Sequence, residues 1–213
     1  MPIAVPRNYV AVRLTTIQLV GYTEPMDTKE LILSSAQRLV QQRGFNGFSY
    51  ADVADEVGIR KASLHHHFAS KVDLGVALVE AYAEQFDQAL ADIERSNTIA
   101  MDKLKAYVAI YRATLDSDRM CMCGMLATEA LTLDAAMLPK LKRFFVRNTE
   151  WLTELLAEGR SQATFMFDGA AADYARAALS TLQGASLVSR SSGDMDAFDR
   201  TTVILVNSFM RKG

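Results

Sequence analysis

The 213-residue chain has few of the residues that cross-link or interrupt a fold. Its two cysteines, Cys121 and Cys123, are separated by one residue and provide no disulfide framework. Four prolines and 11 glycines leave few points at which a helix must end, so long helices are expected. No apolar run is long enough to span a membrane, and the N-terminus lacks a signal-peptide pattern. We therefore expect a cytoplasmic protein with no membrane partner.

The charge of the chain is nearly balanced. It has 23 basic and 25 acidic side chains and a formal net charge of -2, so overall charge does not indicate a nucleic-acid partner. Any DNA-binding surface must therefore be local. Half of the residues are hydrophobic, which is typical of a globular protein with a sizeable core.

The chain changes character at Met26. Residues 2–25 contain three of the four prolines and show no helical period, so we interpret residues 1–25 as a loose extension or a mis-assigned upstream reading frame. Beyond Met26, apolar residues recur at helical spacing. Asp27 and Glu30 resemble a capping pair, and Gly44 suits the end of the first helix. Later helices are predicted at about 71–94, 100–116, 121–135, 137–161, 170–191 and 195–211.

Two short helices are predicted between residues 49 and 68. Ser49 and Asp52 have the form of a capping box that begins the first helix, and Gly58 ends it. In the second helix, Leu64 and Phe68 are four residues apart and are expected to face inward. This order is typical of a helix-turn-helix at 49–68, whose second helix lies in the major groove of DNA.

The only histidines of the chain, His65, His66 and His67, are consecutive in that second helix. Consecutive helical residues point about 100° apart, so the three rings cannot converge on one metal ion. No cysteine or carboxylate stands near them at metal-ligand spacing, and no neighbouring nucleophile or base indicates catalysis. We predict no metal, no cofactor and no enzymatic activity.

Residues 26–86 resemble the DNA-binding domain of the TetR family of bacterial transcriptional regulators. The match has no gap through residues 49–74. The residues that carry it are Ala36, Leu39, Gly44, Phe45, Val53, Ala54, Val57, Gly58, Ile59, Lys61, Leu64, His67, Phe68, Lys71 and Leu74. The resemblance implies an all-α fold, with an N-terminal three-helix helix-turn-helix domain and a larger helical ligand-binding and dimerisation domain at 87–213.

The resemblance also implies which residues contact DNA. Those expected nearest the base edges are Lys61, Ala62, Ser63 and His65, and those expected at phosphates are Thr28, Lys29, Ser49, Tyr50, His66 and Lys71. His67 takes the family's inward, structural position.

Two residues depart from the family pattern. Arg60 replaces the usual Ser or Thr cap and adds a cation toward the DNA backbone, while Ala62 replaces a common glycine. An alternative is a protein-interaction module without DNA binding, because basic and acidic residues balance between residues 26 and 75. Against it, Arg60, Lys61 and Lys71 cluster at the expected DNA face.

The second half of the chain contains two candidate effector sites. Cys121 and Cys123 are a candidate thiol sensor, because a helix start and a neighbouring Arg119 favour a reactive thiolate, as in TetR-type regulators that respond to electrophiles or oxidants. The alternative is that both are small buried apolar residues. In the family the core of the central helices also holds a ligand cavity, for which the expected lining residues here are Tyr107, Tyr111, Met125 and Trp151.

The last two predicted helices have small and apolar stripes suited to a dimer interface. The residues of these stripes are Tyr174, Ala177, Ala178, Thr181, Leu182, Ala185, Val188, Val203, Leu205, Val206, Phe209 and Met210. We predict a homodimeric repressor that binds a palindromic double-stranded DNA operator. A small apolar or electrophilic effector would release it, with cysteine modification as one route. A thiol-based redox enzyme is an alternative, but the CxxC pair and βαβ pattern that it needs are missing.

Overall fold

The computed structural model describes residues 27–210, so the predicted extension at 1–25 and the proposed start at Met26 lie outside the described residues. The predicted all-α fold is confirmed, because the described part of the chain forms nine α-helices and no strand. Within it, no helix combines the length and apolar character needed to cross a bilayer. The helices are α1 (Thr28–Arg43), α2 (Tyr50–Val57), α3 (Lys61–His67), α4 (Lys71–Ser96), α5 (Ala100–Asp116), α6 (Met122–Thr128), α7 (Leu138–Ser161), α8 (Ala171–Ser192) and α9 (Met195–Ser208).

Side-chain caps mark the beginnings of α2 and α4. Ser49 and Asp52 form the predicted capping box: the Ser49 amide donates to the Asp52 carboxylate at 2.6 Å, and the Asp52 amide donates to Ser49 Oγ at 3.3 Å. Ser70 and Asp73 repeat this arrangement at the start of α4. The capping pair predicted at Asp27 is wrong, because its side chain makes no cap hydrogen bond.

Glycine ends the first two helices. The Gly44 amide donates to the Val40 carbonyl at 2.9 Å with φ at +82°. Gly58 follows α2 in the left-handed region, with φ at +75°. Both conformations suit a residue without a Cβ atom, and they place α2 between two sharp changes of chain direction.

Helix α6 is shorter than predicted. The sequence pattern indicated a helix over 121–135, but α6 ends at Thr128 and turns follow to residue 137. The Glu129 carbonyl accepts the amides of Thr132 at 2.8 Å and Leu133 at 3.1 Å, which closes a turn instead of extending the helix. No proline or glycine marks this point, so the sequence pattern gave no stop signal.

The described residues divide into two compact units. The N-terminal unit comprises residues 27–86 and 119–144, and the C-terminal unit comprises residues 87–118 and 145–210. Residues 119–144, which the sequence interpretation assigned to the effector domain, therefore pack with the helix-turn-helix segment. Helices α4 and α7 each contribute residues to both units.

Candidate DNA-binding surface and effector core

Helix α3 has one buried side chain and an exposed face. Leu64 is fully buried, as the spacing predicted, and Phe68 beyond the helix end is also buried. The side chains expected at base edges are all exposed, namely Lys61, Ala62, Ser63 and His65. Apolar anchors on one side and free side chains on the other are what a helix needs to enter a DNA groove.

Two neighbouring cations stand at the beginning of α3. Arg60 is the N-cap residue and makes no side-chain cap hydrogen bond, as expected from its replacement of Ser or Thr. Arg60 and Lys61 are both exposed, and neither has an acidic partner among residues 27–210. Their charges are thus available to phosphate oxygens, which are the commonest protein contacts on DNA.

The three histidine rings have different neighbours. The His65 ring lies 4.9 Å from the Tyr50 ring, and its Nδ1 is 3.1 Å from the Ala69 carbonyl oxygen. His66 is exposed and His67 is half-buried, with their ring centroids 5.6 Å apart in an edge-to-face arrangement. His66 is accessible to a phosphate, whereas His67 is packed from one side.

The three polar residues predicted at phosphates on α1 and α2 differ in availability. Lys29 is exposed and Thr28 is half-buried in the first turn of α1. Ser49 is exposed, but its amide and hydroxyl both donate to the Asp52 carboxylate, and these hydrogen bonds lower the Asp52 pKa. Lys29 is thus the freest of the three for a phosphate contact.

Tyr50 lies inside the N-terminal unit and not on its DNA-facing surface. It is 6% exposed, and its hydroxyl donates to the carbonyls of Phe68 at 3.0 Å and Ser70 at 2.5 Å. Burial, with a smaller effect of Asp73, raises the pKa of Tyr50 to about 12. The structure therefore corrects the predicted phosphate contact, because this hydroxyl joins α2 to the segment between α3 and α4.

Lys71 also has internal partners. Its Nζ donates to the carbonyls of Phe45 at 2.6 Å and Phe48 at 2.5 Å, and it lies over both aromatic rings. Burial lowers the Lys71 pKa, while the negative charges of Glu129 and Asp52 oppose that shift. Lys71 is half-buried and its ammonium has a third N–H, so the phosphate contact expected of it stays a prediction.

Glu129 is a site residue that the sequence interpretation missed. Its carboxylate accepts the amides of Phe45 at 2.7 Å and Asn46 at 3.2 Å, and the Asn46 side chain donates to Thr132 Oγ1 at 2.9 Å. These contacts join the end of α6 to the turn between α1 and α2. No signal in the sequence relates an acidic residue to backbone amides more than 80 residues away.

The two cysteines are both buried. Cys121 is 4% exposed and is the N-cap residue of α6, and Cys123 is fully buried in its first turn. The Tyr82 hydroxyl donates to Cys121 Sγ at 3.6 Å. Burial raises the pKa of Cys123, which disfavours its thiolate. The thiols thus lie at the predicted helix start, in the N-terminal unit and out of contact with solvent.

Three of the four predicted lining residues come together in the C-terminal unit. The rings of Tyr107 and Trp151 stack at 5.3 Å, and Tyr107 and Tyr111 lie 5.5 Å apart with hydroxyls at 3.2 Å. The Tyr107 hydroxyl also donates to Asn148 Oδ1 at 3.1 Å, and Gln183 Nε2 lies 3.5 Å from the Tyr111 hydroxyl. Sequence reasoning missed both amide side chains.

Met125, the fourth predicted lining residue, belongs to the N-terminal unit. Beside Trp151, a groove of about 390 Å³ lies between residues 87–94 of α4 and 147–154 of α7. Its rim carries the carboxylates of Asp87, Glu94, Glu150 and Glu154. Arg147 also lines the groove and pairs with Asp87, and Glu94 pairs with Lys103, so its excess of negative charge is smaller than the four carboxylates alone suggest.

Comparisons with known proteins agree with this geometry. The family model for bacterial regulatory proteins of the tetR family matches residues 32–78. A TetR-family transcriptional regulator from Agrobacterium tumefaciens is 31% identical, with a TM-score of 0.83 over 86% of this chain and 98% of that one. A TetR regulator from Legionella pneumophila is 30% identical, with a TM-score of 0.78 over 89% and 100% of the two chains. The transcriptional repressor NemR of Escherichia coli is 24% identical over 85% of this chain and 93% of its own length.

The position of Tyr50 predicts a stability effect. Tyr50→Phe keeps the ring but removes a donor from two carbonyls, so the free energy of unfolding is expected to fall by about 1–2 kcal/mol in urea titrations. Because the folded pKa is about 12 and the ordinary value is 10.0, the difference should be complete below pH 10 and disappear as the pH rises through 12. Tyr174→Phe, at a half-buried tyrosine whose hydroxyl has no hydrogen bond within the described chain, serves as the control. Equal stability of Tyr50→Phe and wild type would contradict the internal role.

Proposed function

Because the chain belongs to the TetR family and is a DNA-binding transcriptional regulator, we propose that it acts as a homodimeric repressor. The observation that supports this most directly is the exposed face of α3, with the unpaired cations of Arg60 and Lys61 and the buried anchor Leu64. The proposed activity is reversible binding and includes no chemical reaction on the DNA.

Each subunit would place α3 in the major groove of one half-site. Lys61, Ala62, Ser63 and His65 are exposed on that helix and would lie at the base edges. The phosphate contacts are proposed for the accessible residues Thr28, Lys29, Arg60 and His66. Ser49 would cap α2, Tyr50 would join α2 to the segment after α3, and Lys71 would hold the α1–α2 turn.

Lys61→Ala tests the DNA contact. On duplex DNA from upstream of the protein's own gene, at fixed salt, the affinity should fall by about 1–3 kcal/mol, because a base-edge or phosphate contact is lost. Fluorescence anisotropy measures the affinity. Lys142→Ala removes another exposed, unpaired lysine in the same unit, on α7, and should leave the affinity near wild type. Equal affinities of wild type and Lys61→Ala would favour the protein-interaction module.

The proposed dimer is supported by the outer face of α8 and α9. Ala178, Leu182 and Ala185 of the predicted stripe are buried within the subunit and pack its own hairpin. The exposed apolar side chains on these helices are Val188 of the predicted stripe at 62%, the adjacent Leu187 at 39%, and Ile204 of α9 at 71%. Apolar residues of this size on neighbouring helices fit a symmetric helical interface. A dimer is also favoured because one helix-turn-helix alone contacts too few base pairs for a specific site.

Val188→Glu tests the interface. A carboxylate buried twice at a two-fold interface should convert the dimer to monomers at micromolar concentration, because the charge loses its solvation without gaining a partner. Sedimentation equilibrium measures the mass. Val146→Glu changes an exposed valine on α7 in the same way and should leave the mass unchanged. A Val188→Glu protein that keeps the mass of two chains would exclude this face as the interface.

The effector is proposed to bind at the cluster of Tyr107, Tyr111 and Trp151. The buried indole N–H of Trp151 has no acceptor within residues 27–210, so a ligand oxygen or nitrogen placed there would satisfy it. The stacked rings suit a flat apolar or aromatic molecule. Release requires that this ligand bind better to the conformation that cannot engage the operator.

Cysteine modification is the second candidate route of release, and the position of Cys121 supports it. Cys121 is the N-cap residue of α6, and Glu129, which follows α6 as its C-cap residue, contacts the α1–α2 turn. A thiol adding across an activated C=C bond would form a C–S bond at the β-carbon and transfer its proton to the α-carbon. The adduct would not fit at a 4% exposed sulfur without displacement of α6.

Thiol accessibility distinguishes the two routes. In the folded protein both thiols should react with Ellman's reagent roughly a hundredfold or more slowly than in guanidinium, because reaction needs local opening. Ser191→Cys, which adds a thiol at an exposed position of α8, should react at once and validates the assay. Rapid modification of one thiol in wild type, abolished by Cys121→Ser, would establish the cysteine route and contradict the protected state expected here.

A further inference from the structure

Two turns of the N-terminal unit are joined by three hydrogen bonds. One is the α1–α2 turn, residues 44–48, and the other follows α6 at residues 129–133. The Glu129 carboxylate accepts the Phe45 amide at 2.7 Å and the Asn46 amide at 3.2 Å. The Asn46 side-chain amide donates to Thr132 Oγ1 at 2.9 Å.

The carboxylate lies unusually close to the α1–α2 backbone. A Cβ atom added to Gly44 would lie 2.6 Å from Glu129 Oε1, so this approach needs a residue without a side chain. An ionised carboxylate that accepts two backbone amides makes charge-assisted hydrogen bonds, which are shorter and stronger than neutral ones. The turn is therefore held by one side chain through both of its carboxylate oxygens.

Lys71 holds the carbonyl groups of the same turn. Its ammonium donates to Phe45 O at 2.6 Å and Phe48 O at 2.5 Å. Glu129 thus takes the free N–H groups and Lys71 takes the free C=O groups. Removal of Glu129 would leave the amides of buried Phe45 and exposed Asn46 without this acceptor. Removal of Lys71 would leave the carbonyls of buried Phe45 and Phe48 without this donor.

The turn is continuous with the helices proposed to contact DNA. Ser49 follows it directly and caps α2, and the next residue, Tyr50, donates to the carbonyls of Phe68 and Ser70 at the end of α3. A shift of the turn would therefore move α2, and through the Tyr50 hydroxyl it would move the end of α3. Placement of α3 in a groove depends on this connection.

We propose that Glu129 is a positioning residue for operator binding, fixing the α1–α2 turn and thereby the orientation of α2 and α3. It touches no DNA and acts through the amides of Phe45 and Asn46. The inference rests on the proposed DNA-binding function. It also gives α6 a specific part in release, because displacement of α6 withdraws the carboxylate from the turn.

Glu129→Gln tests the proposal, with Glu80→Gln as the matched control. Glu80 is an exposed carboxylate on α4 in the same unit, paired with Lys140 and not with the turn. Both changes remove one negative charge, which by itself strengthens binding to a polyanion. We expect Glu129→Gln to weaken operator binding roughly tenfold, since only one of the two amide acceptors remains, while Glu80→Gln binds equally or more tightly.

Two readouts separate positioning from a general loss of folding. Affinity for a scrambled duplex should be unchanged or raised in Glu129→Gln, so the ratio of specific to non-specific affinity falls. Hydrogen exchange should accelerate at the Phe45 and Asn46 amides but not across α2. Thr132→Val, which removes only the acceptor of the Asn46 side chain, should give a smaller loss of operator affinity in the same direction.

The outcomes are distinct. Wild-type affinity in both Glu129→Gln and Thr132→Val would overturn the proposal, as would an equal fall on operator and scrambled DNA. If Glu129→Gln does not fold, Thr132→Val decides alone. A wild-type protein that fails to prefer the operator would instead refute the proposed function, whatever the variants do.

Discussion

The turn between α1 and α2 cannot satisfy its own backbone polar groups, and the surrounding unit supplies them from distant parts of the chain. Phe45 and Phe48 are buried with their rings 5.7 Å apart, so water cannot serve all the neighbouring carbonyls and amides. Lys71 supplies the donor and Glu129 supplies the acceptor. The Glu129 contact is one of the interactions that hold residues 119–144 against the helix-turn-helix segment.

Helix α3 also depends on partners from other parts of the chain. Helix α3 has seven residues and no side-chain cap, and an isolated helix of that length is unstable in water. Its order must come from tertiary contacts, which here are the buried Leu64 and Phe68 and the Tyr50 hydroxyl. Arg60 and Lys61 can remain unpaired because the stability of α3 does not depend on them.

The sequence was sufficient for features that have local causes. The capping box at Ser49, the break at Gly58 and the inward Leu64 all follow from residues within one or two turns of each other, and the structure has each of them. The end of α6 and the contact of Glu129 were not predictable in this way. Their cause is a pair of backbone amides, which have no side-chain signature in the sequence.

Two polar side chains of the motif have internal partners that their residue types do not indicate. A lysine and a tyrosine in a DNA-binding motif suggest phosphate contacts, because their polar ends usually reach solvent. In Tyr50 and Lys71 those ends meet main-chain carbonyls instead. The predicted dimer stripe divides between two sides of α8: Ala178 and Leu182 are buried within the subunit, whereas Val188 is exposed.

The two cysteines show why location and reactivity must be judged separately. The location of Cys121 connects it to the DNA-binding helices. It is the N-cap residue of α6, and Glu129 at the other end of α6 holds the α1–α2 turn. A change at this sulfur would therefore affect α2 and α3 through the single short helix α6. Burial makes that same sulfur slow to react, and full burial of Cys123 raises its pKa. The cluster of Tyr107 and Tyr111 is buried as well, so a ligand proposed there would also have to open its site, and an acceptor for the buried Trp151 indole N–H is the gain that would offset this cost.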